Sequence, residues 1–220
     1  MDEELKRLAL DIFDKGLILT AGPFEFKLHE KHPDAPRSPI KLNLRFPPKG
    51  TLSWELVEQI GKVFYQLSCQ SQVQYDCVIG VPKAGDPFAQ AFSRLASVPL
   101  LTLEKEETKK SRKVLSFLRG EYQQGWRVLI IDDTVVMADS KFEASNAVIA
   151  NGLVVAGIII LVDWEHRGKD ELEKAGFFVL SRFRMSELLH LYLKEGRISP
   201  EKYKEVIDYL KAIRVYFGRI

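Results

Sequence analysis

Cysteine is nearly missing from this chain. Its 220 residues hold two, Cys69 and Cys77, neither in a CxxC pair nor beside a histidine cluster. That excludes a disulfide framework and argues against a structural zinc, and it fits a reducing compartment. An excess of one charge is missing too. Lys plus Arg number 32 against 30 Asp plus Glu, and the net charge of +2 leaves no electrostatic footprint for nucleic acid or an anionic membrane. Long hydrophobic runs are absent, since the longest, residues 153–162, covers about half a bilayer span. The opening Met1-Asp2-Glu3-Glu4 has neither a basic segment nor an apolar one of signal-peptide type. The expectation is a cytoplasmic chain with neither membrane nor nucleic acid among its partners. The phosphate-binding devices GxGxxG and GxxxxGK followed by Ser or Thr are also lacking.

What is present suffices for one core, because 46% of the residues are apolar. Helical spacing of Leu5, Leu8, Ala9, Ile12 and Phe13 predicts a helix over 3–15 that stops at Gly16. Residues 17–28 alternate loosely and 40–46 cleanly, which predicts two strands around a polar loop at 29–39. Residues 53–70 read as a core-packing helix and 77–81 as a buried strand. A helix opened by Pro87 then runs to about residue 96. Residues 100–103 are a candidate strand, and 104–113, almost wholly charged without an apolar stripe, a solvated loop. After the strand at 128–131 come a helix at 140–150, a strand at 154–162, a helix at 169–175 and a strand at 177–180. Amphipathic helices at 185–195 and 200–213 close the chain. Strands alternating with helices predict an α/β fold with a doubly wound, mostly parallel sheet. The expected organisation is a single domain over 1–220, with a small N-terminal cap (1–50), a sheet core (51–182) and C-terminal helices (183–220).

The stretch RVLIIDDTVVMADS, residues 127–140, organises the rest. A continuous apolar run of the kind that forms a buried parallel strand ends in two adjacent carboxylates, Asp132 and Asp133. Ligands bind at that end of open α/β sheets. Two acids side by side cannot both enter an apolar core unpaired, so they are expected to meet water, a metal, a cation or ligand hydroxyls. Carboxylates can accept hydrogen bonds from vicinal hydroxyls while N–H groups at the next helix start hold a phosphate; together they would grip a ribose 5-phosphate. The plain alternative is that one acid caps the helix and the other is solvated.

RVLIIDDTVVMADS, preceded by a lysine-rich loop, resembles the phosphoribosyl pyrophosphate signature of type I phosphoribosyltransferases. Residues 24–28 with Ser38-Pro39-Ile40-Lys41-Leu42-Asn43-Leu44-Arg45 are similar to the N-terminal substrate segment of the orotate branch. Val162-Asp163-Trp164-Glu165-His166-Arg167-Gly168 stands where that branch has VDREQGG, and SELL (186–189) and ISPEKYKEV (198–206) follow its tail. The match takes in nearly the whole chain, the orotate-type domain of uridine monophosphate synthase included. The resemblance implies the type I phosphoribosyltransferase fold, a homodimer, and transfer of phosphoribosyl from phosphoribosyl pyrophosphate to orotate with magnesium held mainly by the substrate. It further implies that Asp132 and Asp133 hold the ribose hydroxyls and that Lys109, beside Lys105 and Lys110, closes over the pyrophosphate. Lys83, Ala84 and Gly85 would form the pyrophosphate loop, in which a family lysine often aligns with Ala84. The segment from Thr134 and Val135 through Val136, Met137, Ala138, Asp139 and Ser140 would hold the 5′-phosphate, and His29, Val136 and Trp164 would fall in the base site.

Departures from the pattern bear on activity. The phosphate loop, close to TTGGS or TSGSS in the family, is Val136-Met137-Ala138-Asp139-Ser140 here. It has lost hydroxyls and gained an aspartate where a dianion would sit, and like charges about 4 Å apart repel by roughly 4 kcal/mol at an effective dielectric constant near 20. The arginine that pairs with the orotate carboxylate falls on Trp164, and a planar bidentate donor has no substitute in an indole; Trp164 reads either as a stacking platform or as a packed aromatic. A family lysine falls on His29. HEKH, with His29 and His32, lacks a third metal ligand and reads as solvated loop. Two functions follow: a phosphoribosyltransferase with weak or absent orotate activity, or a catalytically impaired homologue that binds a ligand or a regulatory partner.

Overall fold

Two hydrophobic layers, one on each face of a central sheet, hold most of the buried side chains. The computed structural model describes residues 2–108 and 111–218, and the side chains of 105–117 lie outside that description. Helix α1 (Glu3–Asp14) starts where the Asp2 side chain accepts the Leu5 N–H and buries Leu5, Leu8, Ala9 and Ile12. It ends before Gly16, whose positive φ an L side chain would resist.

The cap differs from expectation. Its strands are two residues each, β1 (Ile18–Leu19) and, beyond the short α2 (Leu28–Lys31), β2 (Lys41–Leu42), paired antiparallel. Pro23 and Pro39 carry no N–H for a longer ladder. The expected 29–39 loop therefore begins as a helical turn.

From here strands and helices alternate, apart from three strands in succession before α5. Helix α3 (Trp54–Ser71), capped by the Ser53 hydroxyl, leads to β3 (Cys77–Gly80) and α4 (Asp86–Ala96). Strands β4 (Leu100–Thr108), β5 (Ser111–Arg119) and β6 (Arg127–Val135) follow, then α5 (Asp139–Ala150), β7 (Val154–Asp163), α6 (Gly168–Lys174) and β8 (Val179–Arg184). Helices α7 (Met185–Lys194) and α8 (Pro200–Gly218) complete it. The six-stranded sheet runs β5-β4-β3-β6-β7-β8, parallel throughout except for β4 with β5.

Side chains alternate between faces along each strand. Val78, Leu129, Ile131, Ile159 and Leu161 join the layer of α1, α3, α4, α7 and α8, while Ile79, Val128, Ile130, Ile158 and Ile160 join that of α5 and α6. Both faces being covered, β6 and β7 read as unbroken apolar runs. Each fully buried Leu, Ile or Val contributes roughly 1.5–3 kcal/mol.

The described part of the charged stretch expected as a loop is strand instead. β4 continues to Thr108 and pairs with β5, setting Glu106 opposite Lys113 and Glu107 opposite Arg112. Lys109 and Lys110 lie outside the described residues.

Candidate functional site

β6 carries Asp132 and Asp133 to the C-terminal edge of the sheet, where their surroundings diverge. Asp132 is buried, 2% exposed. Its Oδ1 accepts the Asp133 N–H at 2.9 Å and its Oδ2 lies 2.5 Å from the Lys141 ammonium. Lys141, in the first turn of α5, is itself buried and also donates to the Thr134 carbonyl. Among the partners expected for the two acids, Asp132 meets a cation rather than water: Lys141 goes into the interior with it, which offsets the desolvation that would otherwise forbid burial. Nor does either acid cap α5, whose N-cap is Ala138 with no side-chain bond. Asp133 is half-buried and lines a cleft. Its Oδ1 accepts the Thr134 N–H at 2.6 Å and the Thr134 hydroxyl at 3.2 Å. Desolvation, then the charge of Asp132, holds the Asp133 carboxyl above the ordinary carboxylate range, while Lys141 and the Thr134 N–H pull it down.

The cleft has a volume of about 750 Å³ and lies between the cap and the loop from β3 to α4. Lys41, Arg45, Lys49 and Lys83 line it together with Ala84 and Asp133. Lys83 and Ala84 are exposed at its edge. Gly85 lets their loop close against β6: a Cβ there would lie 2.1 Å from the Ile131 carbonyl oxygen, a contact no side chain tolerates. Lys105 belongs to β4 by its backbone, opposite Val114, and Lys109 and Lys110 fall outside the described residues.

A second cavity, about 550 Å³, lies between α2 and the segment joining β6 to α5. Thr134, Val136, Met137, Asp139, Ser140 and Lys141 line it, whereas Val135 and Ala138 are buried behind. Asp139 is exposed at the start of α5 and forms a 2.5 Å ion pair with Lys31 at the end of α2. The carboxylate thus sits at the positive end of a helix with its own counter-ion.

No family model matches the chain, but individual proteins do. It is 30% identical over 145 residues to an orotate phosphoribosyltransferase of Pyrobaculum aerophilum, a match that takes in 66% of this chain and 73% of that protein. The chain belongs to the orotate phosphoribosyltransferase family. It is also 27% identical over 175 residues to bovine uridine 5′-monophosphate synthase, where the match covers 79% of this chain but 35% of that protein, so it spans about a third of that larger relative. The solved structure of Leishmania donovani UMP synthase superposes with a TM-score of 0.76 at 27% identity, over 94% of this chain and 42% of that one.

Against the orotate phosphoribosyltransferase pattern, the base-side residues sit deeper than the sequence suggested. Trp164 is 1% exposed and packs edge-on against Phe26 at 5.1 Å, so its indole is a core side chain and presents no stacking face to either cavity. His29 is buried rather than solvated. Its Nδ1 accepts the Phe26 N–H at 2.9 Å and its Nε2 lies 3.3 Å from the Pro36 carbonyl, which makes it a brace for the cap turn. His166 is buried beside Trp164 and Tyr209. Arg167 and Arg214 tie the loop after β7 to α8, through the carbonyls of Phe217 and Glu165 respectively.

Sequence reasoning missed Lys141 and Lys31. Lys141 left a trace, as a charge on the inner side of a helix beginning just after two acids; Lys31 left none, being far from Asp139 in sequence. Lys41 and Arg45 were visible only as part of a similar segment and Lys49 not at all, and the cap brings all three to the cleft.

Proposed function

We propose that the chain binds phosphoribosyl pyrophosphate across the ends of β3 and β6 and transfers its phosphoribosyl group to orotate or a related base. The observation that carries this reading is the cleft in which one carboxylate, Asp133, faces four cationic side chains, Lys41, Arg45, Lys49 and Lys83. An acid suits a sugar hydroxyl and a ring of cations suits a diphosphate. In the reaction the bond from ribose C1 to the pyrophosphate oxygen breaks, with its electron pair leaving on pyrophosphate, and a bond forms from C1 to a ring nitrogen of the base, which loses its proton. Because C1 becomes cationic in passing, the protein's work is to hold the partners in line and stabilise charge on the departing pyrophosphate. The lysines of the cleft supply that stabilisation; by family resemblance Lys109, with Lys105 and Lys110 beside it, joins them. The N–H groups at the start of α5 are the place for the 5′-phosphate, beside Ser140.

The chain's own residues do not fit a caged magnesium ion. Among the described residues no group of three His, Cys, Asp or Glu side chains could hold a metal, and both Asp132 oxygens are engaged. Magnesium therefore enters this reading only as a companion of the diphosphate, and no step is assigned to it. The same reading takes residues 1–220 as one domain, paired in a homodimer in the cytoplasm. Among the described residues no helix is long and apolar enough to cross a membrane.

The test is pyrophosphate release, and loss of orotate absorbance, when phosphoribosyl pyrophosphate and magnesium are added with a panel of bases. The expected outcome is slow release with at least one base, abolished in Asp133→Asn. No release with any base, together with no calorimetric binding of phosphoribosyl pyrophosphate, sinks the reading.

A further inference from the structure

We propose that Lys141 is a positioning residue that takes Asp132 out of ligand recognition, leaving Asp133 as the one acid of the pair that meets the sugar. The inference deepens the reading of the cleft as a ribose-phosphate site and rests on it for the identity of the ligand. Its own ground is geometric. The Lys141 ammonium lies 2.5 Å from Asp132 Oδ2, donates to the Thr134 carbonyl and sits 3.4 Å from the Ser140 hydroxyl. With Oδ1 held by the Asp133 N–H, each Asp132 oxygen has a protein partner in a place that water barely reaches. A sugar hydroxyl reaching Asp132 would have to break a buried ion pair, and a lone buried charge is a costly thing to leave behind.

Asp133 has the opposite setting. It borders the cleft, and Thr134 holds one of its oxygens by both N–H and hydroxyl, which fixes the carboxyl's orientation. The charged groups around it are Asp132 on its own strand, Lys141 from α5, Lys83 from the loop before α4, and Lys41, Arg45 and Lys49 from the cap. Lys141 is thus an internal cation that the chain supplies to its own acid pair, and it makes the two acids unequal. A site built on two equal acids would lose ligand similarly when either is neutralised; this one should not.

The full-length protein tests this with ribose 5-phosphate as the probe. In calorimetry, Asp133→Asn is expected to weaken binding tenfold or more. The double variant Asp132→Asn with Lys141→Met, which removes both buried charges together, should lose clearly less affinity than Asp133→Asn does. Equal losses in the two variants overturn the proposal. A second readout needs no ligand: carbon-13 NMR of labelled aspartate carboxyls across pH. In the parent, Asp133 should titrate above the ordinary range, and in Lys141→Met its midpoint should rise further because a neighbouring positive charge is gone. An unmoved midpoint overturns the proposal, and if Lys141→Met does not fold, the double variant must still show Asp133 titrating alone. Should the parent fail to bind ribose 5-phosphate, the functional reading falls, while the titration still decides the role of Lys141.

Discussion

Asp139 and Lys31 make opposite predictions about the same phosphate. A phosphate seated on the N–H groups at the start of α5 lies beside the Asp139 carboxylate, which repels it, but that carboxylate is already 2.5 Å from the Lys31 ammonium. Two unit charges 4 Å apart interact by about 1 kcal/mol in water and about 4 kcal/mol at an effective dielectric constant of 20. The Asp139 and Lys31 side chains are 51% and 67% exposed, which sets the balance near the watery end. A change of about 1 kcal/mol corresponds to about fivefold in affinity. Asp139→Gly removes the repulsion and frees Lys31 for the phosphate, so ribose 5-phosphate should bind about fivefold tighter. Lys31→Met leaves the carboxylate without its counter-ion and should weaken binding by a similar factor. Calorimetry at low salt reads both, and at 1 M salt, where the screening length falls to about 3 Å, the differences should shrink. Neither variant should shift the melting temperature much, an exposed pair being worth about 0–1 kcal/mol. Affinities that move in the same direction, or do not move at all, would refute the placement of the phosphate at this helix start.

Two further outcomes follow from the buried side chains near the loop after β7. Trp164→Arg, which restores the family's residue type, should lower stability by about 3 kcal/mol or more, because it removes a core aromatic and buries a charge. It should not improve orotate binding; tighter orotate binding with an unchanged melting temperature would mean that this position faces the base. His166 has no hydrogen-bond partner on either ring nitrogen among the described residues, and desolvation, then Arg214 and His29, depress its pKa from 6.5 to about 3. Such a base stays neutral in the fold while the unfolded chain takes up a proton, so stability is lost as pH falls from about 6.5 toward 3. His166→Leu should therefore gain melting temperature over the parent increasingly as pH drops below 6.5, and parallel pH curves for the two proteins would refute this.

The sheet core was legible because its strands are covered on both faces, so burial writes a continuous apolar run into the sequence at residues 128–131 and 154–162. The cap was not. Its strand-like alternation over 17–28 and 40–46 is real, yet the ladder it forms is two residues long, Ile18 with Leu42 and Leu19 with Lys41, with an isolated bridge from Phe24 to Ser38. The hairpin of β4 and β5 escaped notice for the converse reason. Its strands carry no continuous apolar stripe through the charged stretch, so nothing in the local pattern announces a partner. Trp164 shows the limit of family reasoning: which way a side chain points after β7 is decided by Phe26 in the cap and His166 in the same loop, and neither is implied by alignment.

The acid pair shows the same limit in energetic terms. The two carboxylates at the strand end are expected to meet water, a metal, a cation or ligand hydroxyls, and which of these each one meets is decided by a lysine on the next helix. Breaking a buried pair by removing one partner costs about 3–5 kcal/mol, a large share of the roughly 5–15 kcal/mol that a domain has. Asp132 is thus tolerable in the interior only with Lys141, and a buried Lys141 is tolerable only with Asp132, so neither residue can be read alone. What the two leave for ligand recognition is a single acid set among the cations of the cap and of the loop before α4. On the reading proposed above, recognition of the sugar passes through Asp133, and the charge balance of the site depends on a lysine that is not among the residues lining the cleft of Asp133.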